Sequence, residues 1–78
     1  MRYMVIIERG ASSWGAYVPD LPGCVAAGDS RDEVVRLIEE AIQFHIQGLT
    51  AEGLPIPQPT SEMEYIDVAA ARPLTTTG

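Results

Sequence analysis

Between residues 29 and 53 the apolar positions recur every three or four residues, which predicts one helix with its own start and stop signals. At about 100° per residue, Val34, Val35, Leu37, Ile38, Ala41, Ile42, Phe44, His45, Ile46 and Leu49 fall on one side. Arg36, Glu39, Glu40, Gln43 and Gln47 fall on the other. The apolar arc spans roughly 200°, wider than the ~100° stripe that one sheet face covers, so a second contact such as another copy of the chain is expected. Ser30-Arg31-Asp32-Glu33 reads as a capping box, with the Ser30 hydroxyl accepting the Glu33 N–H and the Glu33 carboxylate accepting the Ser30 N–H. Asp29, Asp32 and Glu33 set negative charge against the positive end of the helix dipole. Gly48, Gly53 and Pro55 place the helix end between residues 49 and 52.

Elsewhere the period is two. In residues 3–8, Tyr3, Val5 and Ile7 alternate with Met4, Ile6 and Glu8; apolar groups on both faces predict a central strand covered on both sides. Residues 9–13 form a hairpin loop and residues 14–18 the returning strand. Pro19, Asp20, Leu21, Pro22 and Gly23 demand a tight turn, in which Asp20 is expected to bond nearby backbone groups. Residues 24–27 make a third short strand, ended by Gly28. After the helix, the alternating prolines of residues 54–59 run extended. Residues 62–68 are predicted as a last strand, laid parallel to the first by a right-handed crossover.

The expectation is an α+β domain over residues 1–68 with the order β-β-β-α-β. It comprises an antiparallel three-stranded meander, one packed helix and a fourth edge strand, followed by a flexible tail at residues 69–78. One helix covers one sheet face. The candidates for self-association are therefore Tyr3, Met4, Ile6, Ile42 and Ile46.

Size sharpens that expectation. A 78-residue chain with a single cysteine has no internal disulfide, and a domain this small buries only about 60–65% of its unfolded surface, so a homodimer or higher homo-oligomer is the common remedy. The apolar run at the N-terminus is too short for a signal peptide or a membrane span, which predicts a cytoplasmic protein without membrane contact. Eleven acidic residues face five arginines and no lysine, for a net charge of −6. Phosphate contact needs clustered cations, so nucleic acid is a poor partner and a basic protein a better one.

Candidate chemistry is sparse. The first strand offers Met4, Val5, Ile6 and Ile7 where a two-metal nuclease needs a carboxylate, and Asp67 stands alone on the last strand. Asp20, Cys24 and His45 suggest a thiol nucleophile with its base. However, His45 lies mid-face among apolar residues, where a core imidazole bonded to backbone is the ordinary case, and Cys24 reads as a small buried hydrophobe. The chain is thus expected to be no enzyme and to carry no metal or cofactor. Trp14 and Tyr17 are candidate partner anchors, and Asp32, Glu39 and Glu40 a candidate acidic docking patch, each with the alternative of an ordinary sheet or solvated helix position.

The run Pro19, Asp20, Leu21, Pro22, Gly23, Cys24, followed by Gly28-Asp29-Ser30, Glu33, Glu40-Ala41-Ile42, His45 and Pro55-Ile56-Pro57, resembles the HicB-like antitoxin family over about residues 3–68. Pro19, Asp20, Pro22, Gly23, Ser30, Glu33 and His45 carry the structural motif. The resemblance implies a partial RNase H-like fold and homo-oligomers. It also implies a type II toxin-antitoxin role: sequestering a small basic HicA-type toxin that cleaves mRNA, by covering its RNA-binding face and catalytic histidine. Two departures stand out. Val34 occupies a position where the family commonly has alanine, and the chain ends at Gly78 without the DNA-binding region that many members use on their operator, so direct nucleic-acid binding is not expected. The rival reading is a solitary oligomeric domain acting as a small-molecule-binding or regulatory scaffold without a toxin.

Overall fold

The computed structural model describes residues 1–70. Three strands, β1 (Ile6–Arg9), β2 (Trp14–Tyr17) and β3 (Val25–Gly28), precede one helix, α1 (Arg31–Ala51). They form an antiparallel sheet in the order β1-β2-β3, with Ile7 opposite Ala16 and Ala16 opposite Ala26. The period-two alternation sends these three residues toward the helix together with Trp14, and Ile6, Tyr17 and Val25 to the other face.

The core lies between the sheet and α1. Ala16, Val18, Leu21, Cys24, Val34 and Ile38 are buried, and Tyr3, Val5, Ile7, Ala41 and Ile42 pack around them. Leu21 and Val34 are fully enclosed. Leu21 reaches this position because the 19–23 turn is folded tightly on itself: the Leu21 N–H donates to the Val18 carbonyl at 3.1 Å, and the Cys24 N–H donates to the Leu21 carbonyl at 3.0 Å. Gly23 closes the turn at φ +84°, a left-handed conformation that other residues rarely adopt.

The helix starts as its sequence dictates. Ser30 is the extended N-cap, and its hydroxyl accepts the Glu33 N–H at 3.1 Å. The reciprocal bond differs from expectation. The Glu33 carboxylate accepts the N–H of Asp29 at 2.6 Å, one residue before Ser30. It reaches that far because residue 28 is glycine, where a Cβ would stand 2.8 Å from the carboxylate oxygen. At the other end Gly53, at φ +70°, lets the chain turn back so that the Leu54 N–H bonds the Leu49 carbonyl at 2.9 Å.

Two further expectations are corrected. First, β1 is an edge strand, not a central one, because the segment expected beside it does not pair: residues 54–70 are extended but make no ladder. The α+β class, the meander and the packed helix stand, whereas the fourth strand over residues 62–68 does not form within this chain. Second, Tyr3 joins the helix side of the sheet and its hydroxyl donates to the Pro57 carbonyl, tying the proline run to the N-terminus. As the width of the apolar arc implied, the sheet does not cover all of it: Val35 is 39% exposed and Phe44 73%. Of the predicted tail, residues 69 and 70 are exposed without regular structure, and the rest lies outside the described residues.

Candidate partner-binding surface

The largest exposed aromatic on the helix, Phe44, stands over a groove between the C-terminal half of α1 and the turn leading into β3. Cys24, Val25, Ala41, His45, Leu49 and Glu52 complete the walls, around a volume of about 400 Å³. Val25 is 64% exposed on the free edge of the sheet. Helical spacing explains the arrangement: Ala41, Phe44, Gly48 and Glu52 follow one another at three and four residues, His45 lies four on from Ala41, and Gly48 leaves the space a side chain would fill. No basic residue lies in the last helical turn, so the negative end of the helix dipole adds to Glu52 there. The surface suits an apolar side chain flanked by a cation.

The Asp20, Cys24 and His45 trio is not brought together as a catalytic unit. Cys24 and His45 border the same groove, but Cys24 is buried, and burial pushes its thiol pKa up, away from the reactive thiolate. His45 is a half-buried wall of the groove, not the enclosed core residue expected from its place on the apolar face. Among the described residues, no group of histidine, cysteine, aspartate and glutamate could hold a metal ion, and no helix is long and apolar enough to cross a membrane.

Asp20 has a task that its position between two prolines did not reveal. Its carboxylate accepts the Ser61 N–H at 3.0 Å, the Ser61 hydroxyl at 2.8 Å and the Thr60 hydroxyl at 3.2 Å, clasping the chain 40 residues downstream. The backbone and then the hydroxyl of Ser61 hold the carboxyl below its ordinary range, with Thr60 adding to them against a small opposing effect of burial. A depressed carboxyl contributes its interaction above the unfolded-state value of about 3.9, and loses it as pH falls through the lower folded value. The Ser61 amide resonance is therefore expected to shift with a midpoint below that value, and the shift to vanish in Asp20→Ala. A midpoint at or above 3.9 would show that the clasp does not form.

The other candidate residues separate. Trp14 lies on the helix side of the sheet beneath Arg9, whose guanidinium carbon is 5.7 Å from the ring centroid, whereas Tyr17 faces the opposite side and is 41% exposed; they do not form one patch. Asp32, Glu39 and Glu40 are all exposed on α1, and Glu40 sits 3.5 Å from Arg36. Met4 and Ile6 lie on the helix-free face, while Tyr3, Ile42 and Ile46 border a groove of about 440 Å³ on the helix side. Sequence reasoning missed Phe44 as a surface residue. The signal available to it was the excess width of the apolar arc, which one sheet face could not cover.

Comparison with known proteins bears on the family and the fold. The pattern of the HicB-like antitoxins of bacterial toxin-antitoxin systems matches residues 3–73. The chain belongs to the HicB-like antitoxin family. It is 36% identical to a UPF0150 protein of Helicobacter pylori over 85% of this chain and 93% of that one. It is 28% identical to Antitoxin HicB 2 of Photorhabdus laumondii over 91% of this chain and 52% of that protein. A phage HP1 protein is 36% identical over 86% of this chain, which spans 50% of the phage protein's length. Among solved structures, a chain of a HicA3 and HicB3 toxin-antitoxin complex superposes with a TM-score of 0.66 at 33% identity, covering 77% of this chain and 70% of that one. The HicB-like chain thus has the meander-and-helix fold of a toxin-antitoxin component.

Proposed function

We propose that this HicB-like chain acts in the cytoplasm by binding rather than catalysis, as a homo-oligomeric antitoxin that sequesters a small basic HicA-type ribonuclease. The observation that carries the reading is the likeness, in both sequence and fold, to a chain of a HicA3 and HicB3 complex. Physical features of the surface support it. A net charge of −6 without a lysine favours encounter with a basic partner. Phe44, Val25 and Glu52 offer an apolar anchor site beside an acidic group, and Glu40 lies one helical turn before Phe44. A toxin whose RNA-binding cations are neutralised by such a surface loses its substrate.

The test is calorimetric titration with a catalytically silenced HicA-type toxin encoded beside this chain. Binding is expected to weaken with rising salt, because exposed charges are screened. Phe44→Asp is expected to weaken it by about 2 kcal/mol or more, roughly 30-fold, while leaving the fold intact because the ring is already exposed. No binding at low salt, or no neighbouring gene for a small basic protein, would overturn the reading.

A further inference from the structure

The segment after the Asp20 clasp has a geometry that its own chain does not use. Met63, Tyr65, Ile66 and Val68 are 63–82% exposed, although residues 62–68 have the composition of a strand. Ser61 is fixed at Asp20, near the start of β1, and Met63 and Tyr65 then stand across from Val5, Ile6 and Ile7, so the segment runs in the same sense as β1. It does not pair with β1. Between them lies an open cleft of about 420 Å³, lined also by Trp14 and Arg31. The fold therefore extends 63 Å along its long axis, with a radius of gyration of 17.4 Å against about 11.5 Å for a compact chain of this length.

β1 leaves one edge of the sheet unpaired, and Met63 and Tyr65 of the exposed segment stand across the cleft from it. Strands that hydrogen-bond lie about 4.8 Å apart, and an unpaired edge invites one more strand. We propose that the cleft receives residues 62–68 of a second copy of this chain, reciprocally, so that two copies share one continuous sheet. A two-fold axis between the two segments makes the incoming one antiparallel to both β1 and the resident segment, and it gives every exposed edge in the cleft a partner. On the β1 side charge agrees with this occupant: the segment carries Glu62, Glu64 and Asp67 and no cation, while Arg31 lines the cleft and Arg9 ends β1; on the other side it meets the same three carboxylates of the resident segment. Its apolar side chains would be covered in the same step. β1 then becomes a central strand, hydrogen-bonded on both edges.

The proposal rests on the oligomeric part of the function above and not on the toxin. Sedimentation of the intact chain is expected to give twice its 8.4 kDa mass. Ile66→Pro, which removes a backbone donor and stiffens the strand, is expected to raise the dimer dissociation constant at least 100-fold with unchanged helical circular dichroism, whereas Ile66→Val leaves the dimer intact. In a Cys24→Ser background, Ile6→Cys in one tagged copy and Tyr65→Cys in a differently tagged copy are expected to join through a short bismaleimide. A monomeric wild type, or one that associates only when a toxin is added, would overturn both this exchange and the oligomeric reading. A dimer that survives Ile66→Pro, or that fails to cross-link between copies, would overturn the exchange alone.

Discussion

Leu21→Ala is expected to remove about 2–5 kcal/mol from the unfolding free energy. A domain of this length has roughly 4–12 kcal/mol in total, so this single truncation takes a large share of it. Leu21 sits within a proline-rich turn, a place where most side chains are dispensable, yet it is fully enclosed with Val18, Cys24, Val34 and Ile38. The turn bonds to Val18 and Cys24 hold its backbone, so the neighbouring groups have little freedom to collapse into the space left behind. Leu21→Met keeps most of the volume and should cost less than about 1.5 kcal/mol. Urea denaturation of the two variants checks the claim, and a loss below about 1 kcal/mol in Leu21→Ala would place the side chain outside the core.

Val34→Asp is expected to abolish folding at neutral pH, and its neighbour supplies the control. Val34 is fully enclosed, and a carboxylate there would lose its hydration with no cation among the surrounding core residues. Such a group costs several kcal/mol if ionised, comparable to the whole stability of the domain. Val35, one residue on in the same helix, is 39% exposed. Val35→Asp should shift stability by less than about 1 kcal/mol, since its charge stays hydrated and lies near the positive end of the helix dipole. Far-UV circular dichroism and thermal melts of the pair separate burial from helix propensity. Two equally folded variants would refute the assignment of Val34 to the core.

Phe44 and Val34 share one apolar arc yet meet opposite fates, which shows how far the sequence could be read. The hydrophobic period locates the helix face but cannot say how wide a sheet will cover it. The three-stranded sheet shelters Val34 and Ile38 and leaves Phe44 open, so the candidate docking groove follows from sheet width, a property of strand pairing rather than of the helix. The same distinction explains β1. Its apolar residues on both faces located a strand but not its place in the sheet, and among the described residues it has one neighbour, β2.

The amino-acid sequence by itself determined the helix and its caps, the hairpin, the tight turn at residues 19–23 and membership of the HicB-like family. Apart from family membership, each of these depends on residues within a few positions of one another: a side chain that bonds the next turn, a glycine that tolerates positive φ, an alternation of period two. Tertiary structure alone decided that Leu21 points inward, that Asp20 holds Ser61 rather than its own turn, and that residues 62–68 stand away from β1. Those outcomes join groups up to 41 residues apart, and no local period or propensity records which distant donor a carboxylate or a strand edge will meet.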